Sequence, residues 1–145
     1  MKINSRIKYF TLAFCMFLIS CSDNSKKLKS LICNDNIQYW DYNMISRKQN
    51  VWFTFSFDKN GVVKKYSFYK NKRWLFTDYG YNKEFKWSIS KDSILEFMGT
   101  SEKIIRVSGD TLFTSNTNYK EEAKYIRVRG NLNIQQNSPV LHGVD

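Results

Sequence analysis

Residues 51–57 read VWFTFSF, and Asp58-Lys59-Asn60-Gly61 follows at once. A period of two puts Val51, Phe53, Phe55 and Phe57 on one face and Trp52, Thr54 and Ser56 on the other, as in a strand with one buried side. Asn60 and Gly61 both tolerate positive φ, which a type I turn with a glycine bulge or a type I′ turn requires. The return strand is expected over 62–69 (VVKKYSFY), where Val62, Tyr66 and Phe68 share a face. A hairpin this well marked commits the chain to local antiparallel pairing.

The same rhythm continues. Residues 73–79 (RWLFTDY) and 83–89 (KEFKWSI) read as strands, with Phe85, Trp87 and Ile89 on one face of the second. Lys91-Asp92 turns the chain into 93–98, Gly99 to Glu102 turns it into 103–107, and Ser108-Gly109-Asp110 turns it into 111–116. A last strand is expected over 122–129 (EAKYIRVR). That makes about seven to nine strands at a spacing of roughly 8–12 residues, and no segment sustains a helical period. The expected fold is all-β: an antiparallel up-and-down meander of about eight strands closed into a barrel, with a two-sheet β-sandwich as the alternative. Closure is preferred because it removes edge strands. Residues 28–45 fit either a first strand around Ile37–Tyr42 or a short helix plugging one end.

The N-terminus carries a different signal. Residues 1–8 (MKINSRIK) are basic, and residues 9–19 (YFTLAFCMFLI) form an apolar run of 11. Such a run is too short for a membrane helix, which needs about 20 residues, but suits a secretory h-region. It ends in Leu18-Ile19-Ser20-Cys21, which resembles the lipobox of bacterial lipoproteins. The resemblance implies cleavage between Ser20 and Cys21, lipid attachment at Cys21 and stable membrane anchoring through acyl chains. Cys15 and Cys33 are preceded by Phe14 and Ile32 rather than by a small residue, so Cys21 alone passes. Ser22 at the next position fits sorting to the outer membrane, and the sequence Ser22 to Lys27, with one acid and two bases, favours a periplasm-facing protein.

The expected organisation is a signal peptide over 1–20, an anchor and polar tether over 21–35, a β domain over 36–129 and a loose tail over 130–145. Of the formal charge of +10, Lys2, Arg6 and Lys8 leave with the leader, which has no acid, so the mature chain keeps +7. Basic chains attract nucleic acid, anionic lipid or acidic partners. An exported, tethered protein faces lipid, so the membrane is the expected partner and nucleic acid is not. Cys33 has no second cysteine with which to make an internal disulfide once Cys15 is removed and Cys21 acylated.

Trp40, the Phe-rich strand into Asp58-Lys59-Asn60-Gly61, Trp87-Ser88-Ile89, Asp92-Ser93-Ile94, Ile104–Val107 and Asp110-Thr111-Leu112 form a cadence that resembles the small lipocalin-like lipoproteins of Bacteroidota, over roughly residues 36–129. The Gly-x-Trp of lipocalins proper is absent, since Gln38 stands two before Trp40. The resemblance implies an eight-stranded up-and-down barrel that either holds a ligand or is filled by its own side chains.

Chemistry is thin. His142 is the sole histidine and lies in the expected tail, so nucleophilic catalysis lacks a positioned base and a histidine metal site is not expected. No phosphate loop or nucleophile elbow occurs, and no cofactor is expected. Asp58, Asp78, Glu84, Asp92, Glu96, Asp110, Glu121 and Glu122 are carboxylates that could pair in space as a glycosidase requires, which sequence cannot show. The distinctive reserve is aromatic: Phe, Tyr and Trp make up 17% of the chain, more than so small a barrel must bury. Trp52, Trp74, Trp87 and Tyr66 are the candidate ligand-binding residues, because Tyr and Trp combine apolar area with a polar tip. The expected function is a non-enzymatic cell-envelope lipoprotein that binds a small apolar or amphipathic ligand. The alternative is a protein-interaction module of inhibitor, immunity or envelope-accessory type.

Overall fold

Alternation in sequence becomes inside and outside in the sheet. The computed structural model describes residues 23–34, 36–45, 53–69, 72–76, 84–130 and 132–135. Cys21, Ser20 and Trp52 therefore lie outside the described residues, as does the whole leader. Among the described residues one helix, α1 (Asp23–Ile32), precedes ten strands. These are β1 (Ile37–Met44), β2 (Phe53–Asp58), β3 (Val62–Tyr69), β4 (Lys72–Leu75), β5 (Phe85–Ile89), β6 (Ile94–Phe97), β7 (Thr100–Ser108), β8 (Thr111–Asn116), β9 (Glu122–Arg127) and β10 (Ile134–Gln135). The fold is all-β apart from the helix, in a single sheet.

The hairpin at Asp58 forms as expected. Gly61 N donates to Asp58 O at 3.1 Å, and Val62 N donates to the Asp58 carboxylate at 2.8 Å. Gly61 takes φ +81° whereas Asn60 does not take positive φ, so of the two turn forms the bulged type I is the one made. Between β6 and β7, Met98 and Gly99 both have positive φ, 48° and 74°, as a two-residue type I′ connection demands.

Two long-range pairings bend the meander into a ring. β1 pairs with β9 as well as β2, with Trp40 opposite Arg127 and Tyr42 opposite Tyr125. β3 divides its length: Val62 and Val63 pair with Lys86 and Phe85 of β5, while Tyr66–Tyr69 pair with β4. The ring thus passes through β1, β2, β3 and β5 to β9, eight strands in a barrel-like arrangement, with β4 branching off β3. Within the segment expected to be loose, β10 pairs in parallel with β4, Ile134 opposite Arg73.

Phe55, Phe57, Trp40, Trp87, Leu95, Phe97, Leu112 and Tyr125 point inward and are buried. Their rings meet edge to face, Phe55 to Phe97 at 5.1 Å and Phe57 to Trp87 at 5.3 Å. On β3 the inward residues are Val63 and Lys65, as their pairing with Phe57 and Phe55 requires. Val62, Tyr66 and Phe68 do share a face, but it is the outer one.

Residues 23–30, part of the expected polar tether, supply most of α1. Leu28 and Ile32, one turn apart, press against the core while Lys26, Lys27 and Lys29 are exposed. The helix closes one end of the ring. Its last carbonyls would otherwise be orphaned, but Trp40 Nε1 donates to Ile32 O at 2.9 Å and Arg127 Nη2 to Leu31 O at 2.6 Å. Cys33, next along, is a buried thiol outside any disulfide. Both alternatives weighed for residues 28–45 are realised, a plugging helix followed by a strand.

Candidate functional site

The helix-capped half of the ring is filled, by Ile32, Trp40, Phe57, Val63, Trp87, Leu95 and Leu112. The opposite half is open. There the inward side chains of β1, β2, β3, β6, β7 and β8 surround a cavity of about 390 Å³, within the range of small-molecule sites. Its apolar walls are Tyr42, Met44, Phe53, Phe55 and Phe97. Thr100 and Asn116 add polar groups, and Tyr119 and Glu121 come from the β8–β9 connection at the mouth.

Glu102 is the unexpected member. It stands on β7 opposite Leu95 of β6 and Asn116 of β8, and both neighbours face the interior. Only 3% of its surface is exposed. Thr114 Oγ1 donates to Glu102 Oε2 at 2.6 Å, and the Tyr125 hydroxyl donates to the same oxygen at 2.8 Å. Burial raises the Glu102 carboxyl above its ordinary range, and the two hydroxyl donors offset that only in part. Tyr125 is wholly buried; burial first, then the Glu102 charge, holds its phenol far above the usual range, so it stays a donor. Its ring rests on Tyr42, with centroids 5.0 Å apart.

The sequence places Glu102 in a turn, which the structure corrects: β7 starts at Thr100. The signal was present. Ile104 belongs inside, and a period of two then carries Glu102 inside with it. What hid it was the boundary of the strand, the least legible part of any element.

Lys65 is the cavity's cation. Its ammonium sits 3.7 Å from the centre of the Phe53 ring and 4.8 Å from that of Phe76. Phe76 is exposed, so the cation–π contacts join a ring of the cavity wall to a surface ring. The carboxyl of Glu102 is buried.

Among the described candidates, none lines this cavity. Trp87 lies in the filled half, where its Nε1 donates to Asp58 O at 2.9 Å. Trp74 is on β4, half-buried and outside the ring. Tyr66 faces outward, lining a second concavity of about 340 Å³ with Tyr39, Ser56, Lys64 and Ile134. Burial raises its phenol above the ordinary range. Of the carboxylates named from sequence, Glu121 reaches the cavity, so it and Glu102 are two acids in one cleft. Among the described residues no cluster of three or more His, Cys, Asp or Glu could hold a metal ion.

A scan against protein-family models finds no match to this chain, and a search of curated proteins finds none either.

Proposed function

We propose that this chain is a cell-envelope lipoprotein, anchored at Cys21, whose barrel-like sheet takes the apolar part of a small amphipathic molecule into its open half. The observation that carries the binding reading is the contrast between the two halves of one interior. One end is packed solid under α1, while the other leaves about 390 Å³ walled by Tyr42, Phe53, Phe55 and Phe97. A protein-interaction module would have no need of an unfilled aromatic interior. The anchor rests on Leu18-Ile19-Ser20-Cys21 and on the basic and apolar segments before it.

The reading is binding without turnover, with Glu102 as an acceptor for a ligand donor. Both its hydroxyl neighbours donate to Oε2. A glycosidase would instead use such an acid to protonate a leaving group. Glu121 supplies the second carboxyl such an enzyme would need, so hydrolysis of chromogenic aryl glycosides, abolished by Glu102→Gln, would replace this reading with an enzymatic one.

The binding test is uptake of Nile red, a neutral apolar fluorophore, by the purified protein. Fluorescence should rise saturably, and Thr100→Trp, which fills the cavity, should weaken binding by about tenfold or more while the urea midpoint holds. Saturable uptake undiminished in Thr100→Trp would place the site elsewhere. The anchor is tested by metabolic labelling with palmitate in a bacterial host. Label and membrane association should both be lost in Cys21→Ala, and a labelled Cys21→Ala chain would sink the assignment.

A further inference from the structure

The cavity carries opposite charges on different walls. Aromatic faces line it, the Lys65 ammonium lies over Phe53 and Phe76, and the Glu102 carboxyl is buried in its wall. A simple apolar container has no use for a buried acid, because taking an ionised carboxyl out of water is costly unless a partner compensates it. Here the compensation within the protein is partial. Thr114 and Tyr125 satisfy Oε2, and among the described residues no hydrogen-bond donor falls on Oε1. No cationic side chain makes an ion pair with Glu102 among the described residues, whereas Asp41 and Asp110 each have an arginine.

We propose that the ligand enters amine first: a monocationic amphiphile whose protonated amine meets Glu102 Oε1 and whose apolar body lies against Tyr42, Phe53, Phe55 and Phe97. This rests on reading the cavity as a binding site and names the chemistry of what it takes. An ammonium supplies the missing donors and the missing charge together. The aromatic faces add cation–π attraction on its way in. A carboxylate amphiphile would set like charge against Glu102 in a low-dielectric wall; its competing partner is the Lys65 ammonium, lying over Phe53 and Phe76, and octanoate tests that choice.

The groups facing Glu102 also set its pH behaviour. Tyr125 of β9 and Tyr42 of β1 are phenols, Lys65 of β3 is cationic, Thr114 and Asn116 of β8 do not titrate, and Tyr119 and Glu121 stand at the mouth. Protonating Glu102 removes the charge that the amine needs. Affinity for an amine should therefore fall as pH falls through the raised range of Glu102, and affinity for a neutral alcohol should not.

The experiment compares octylamine, octanol and octanoate as competitors of Nile red, in the purified protein and in Glu102→Gln. Octylamine should bind about tenfold or more tighter than octanol, the scale of one charge-assisted hydrogen bond. Octanoate should be the weakest of the three. Glu102→Gln should abolish the amine's advantage and leave octanol within about twofold. A titration of the unsubstituted protein from neutral to acid pH, repeated with Glu121→Gln, gives a readout that does not depend on the Glu102 variant folding. Octylamine affinity should fall in both and octanol affinity in neither. Octanol binding as tightly as octylamine, or octanoate binding tightest, overturns the amine assignment and leaves the binding site standing. Failure of all three to displace bound Nile red overturns the binding site as well.

Discussion

The indole of Trp40 donates its Nε1 hydrogen to the carbonyl of Ile32 over 2.9 Å, joining the first strand of the ring to the last turn of the helix that plugs it. Both residues are 1% exposed, so neither the donor nor the acceptor has water to fall back on. Trp40→Phe leaves that carbonyl unpaired and removes indole volume, and should cost about 2–4 kcal/mol. Ile32→Ala should cost about 2–5 kcal/mol through the cavity it leaves. Urea unfolding followed by far-ultraviolet circular dichroism measures both. If α1 is a true plug, the double variant loses less than the summed single losses, since undocking the helix breaks both interactions at once.

Glu102 makes stability depend on pH in a direction opposite to the usual carboxylate. Its folded-state value is raised above the ordinary 4.5, so between that ordinary value and its folded value the native state holds a proton that the unfolded chain has lost. Stability therefore increases as pH falls through this window, by up to about 1.4 kcal/mol per pH unit, and levels off below it. Asp110 works the other way at lower pH. The Arg129 hydrogen bond holds its carboxyl below the ordinary 3.8, so stability is lost as pH falls through that lowered value. Glu102→Gln should flatten the first limb alone in a series of urea midpoints. A limb that persists in the variant assigns it to another group.

These two residues also show what sequence can and cannot reveal. Trp40 sits in a segment that fits either a strand or a short helix, whereas the alternation of Phe53, Phe55 and Phe57 and the turn at Gly61 are legible outright. Those are local patterns, set by periods of two and by φ preferences. Ring closure was expected on a general argument about edges, but the pairs that achieve it, Trp40 with Arg127 and Val63 with Phe85, join distant segments and leave no local trace. The helix is legible only as one of two alternatives for residues 28–45, because Leu28, Leu31 and Ile32 are too few apolar residues to establish a period. Residue type alone marks the aromatic candidates. Which side of a strand faces a lumen, and which half of the lumen is full, depends on register across the whole ring. That is why Trp87 is core and Phe53 is cavity wall.

Gly61 isolates the cost of one turn. A Cβ built there would meet Trp87 O at 3.5 Å, an ordinary contact, so space is not the obstacle. The obstacle is φ +81°, which an L side chain adopts at a cost of about 1–2 kcal/mol. Gly61→Ala should lose that much stability, and Gly61→Asn should lose less because Asn tolerates the left-handed region better. Equal losses in the two variants, read from thermal or urea unfolding, would point to contact rather than backbone strain.

The outer face carries a polar clamp with a separate test. Arg73 of β4 reaches across to β1, where its Nη2 donates to Asp41 Oδ2 at 2.7 Å. Its Nε donates to Thr54 Oγ1 on β2 at 2.9 Å, and that hydroxyl donates in turn to Asp41 Oδ1 at 2.6 Å. Thr54 is fully buried beneath the arginine, while the Arg73 and Asp41 side chains are 15% and 16% exposed. The clamp therefore fastens the branch formed by β4 and β10 to a ring that closes without it. Arg73→Met should cost about 1–3 kcal/mol by leaving Asp41 without its charge partner. Asp41→Asn should cost less, because an amide oxygen still accepts from Thr54. Hydrogen exchange should rise in β4 and β10 in Arg73→Met and stay unchanged in β7 and β8, on the far side of the ring. Uniform loss of protection would show instead that the branch is part of the core's cooperative unit.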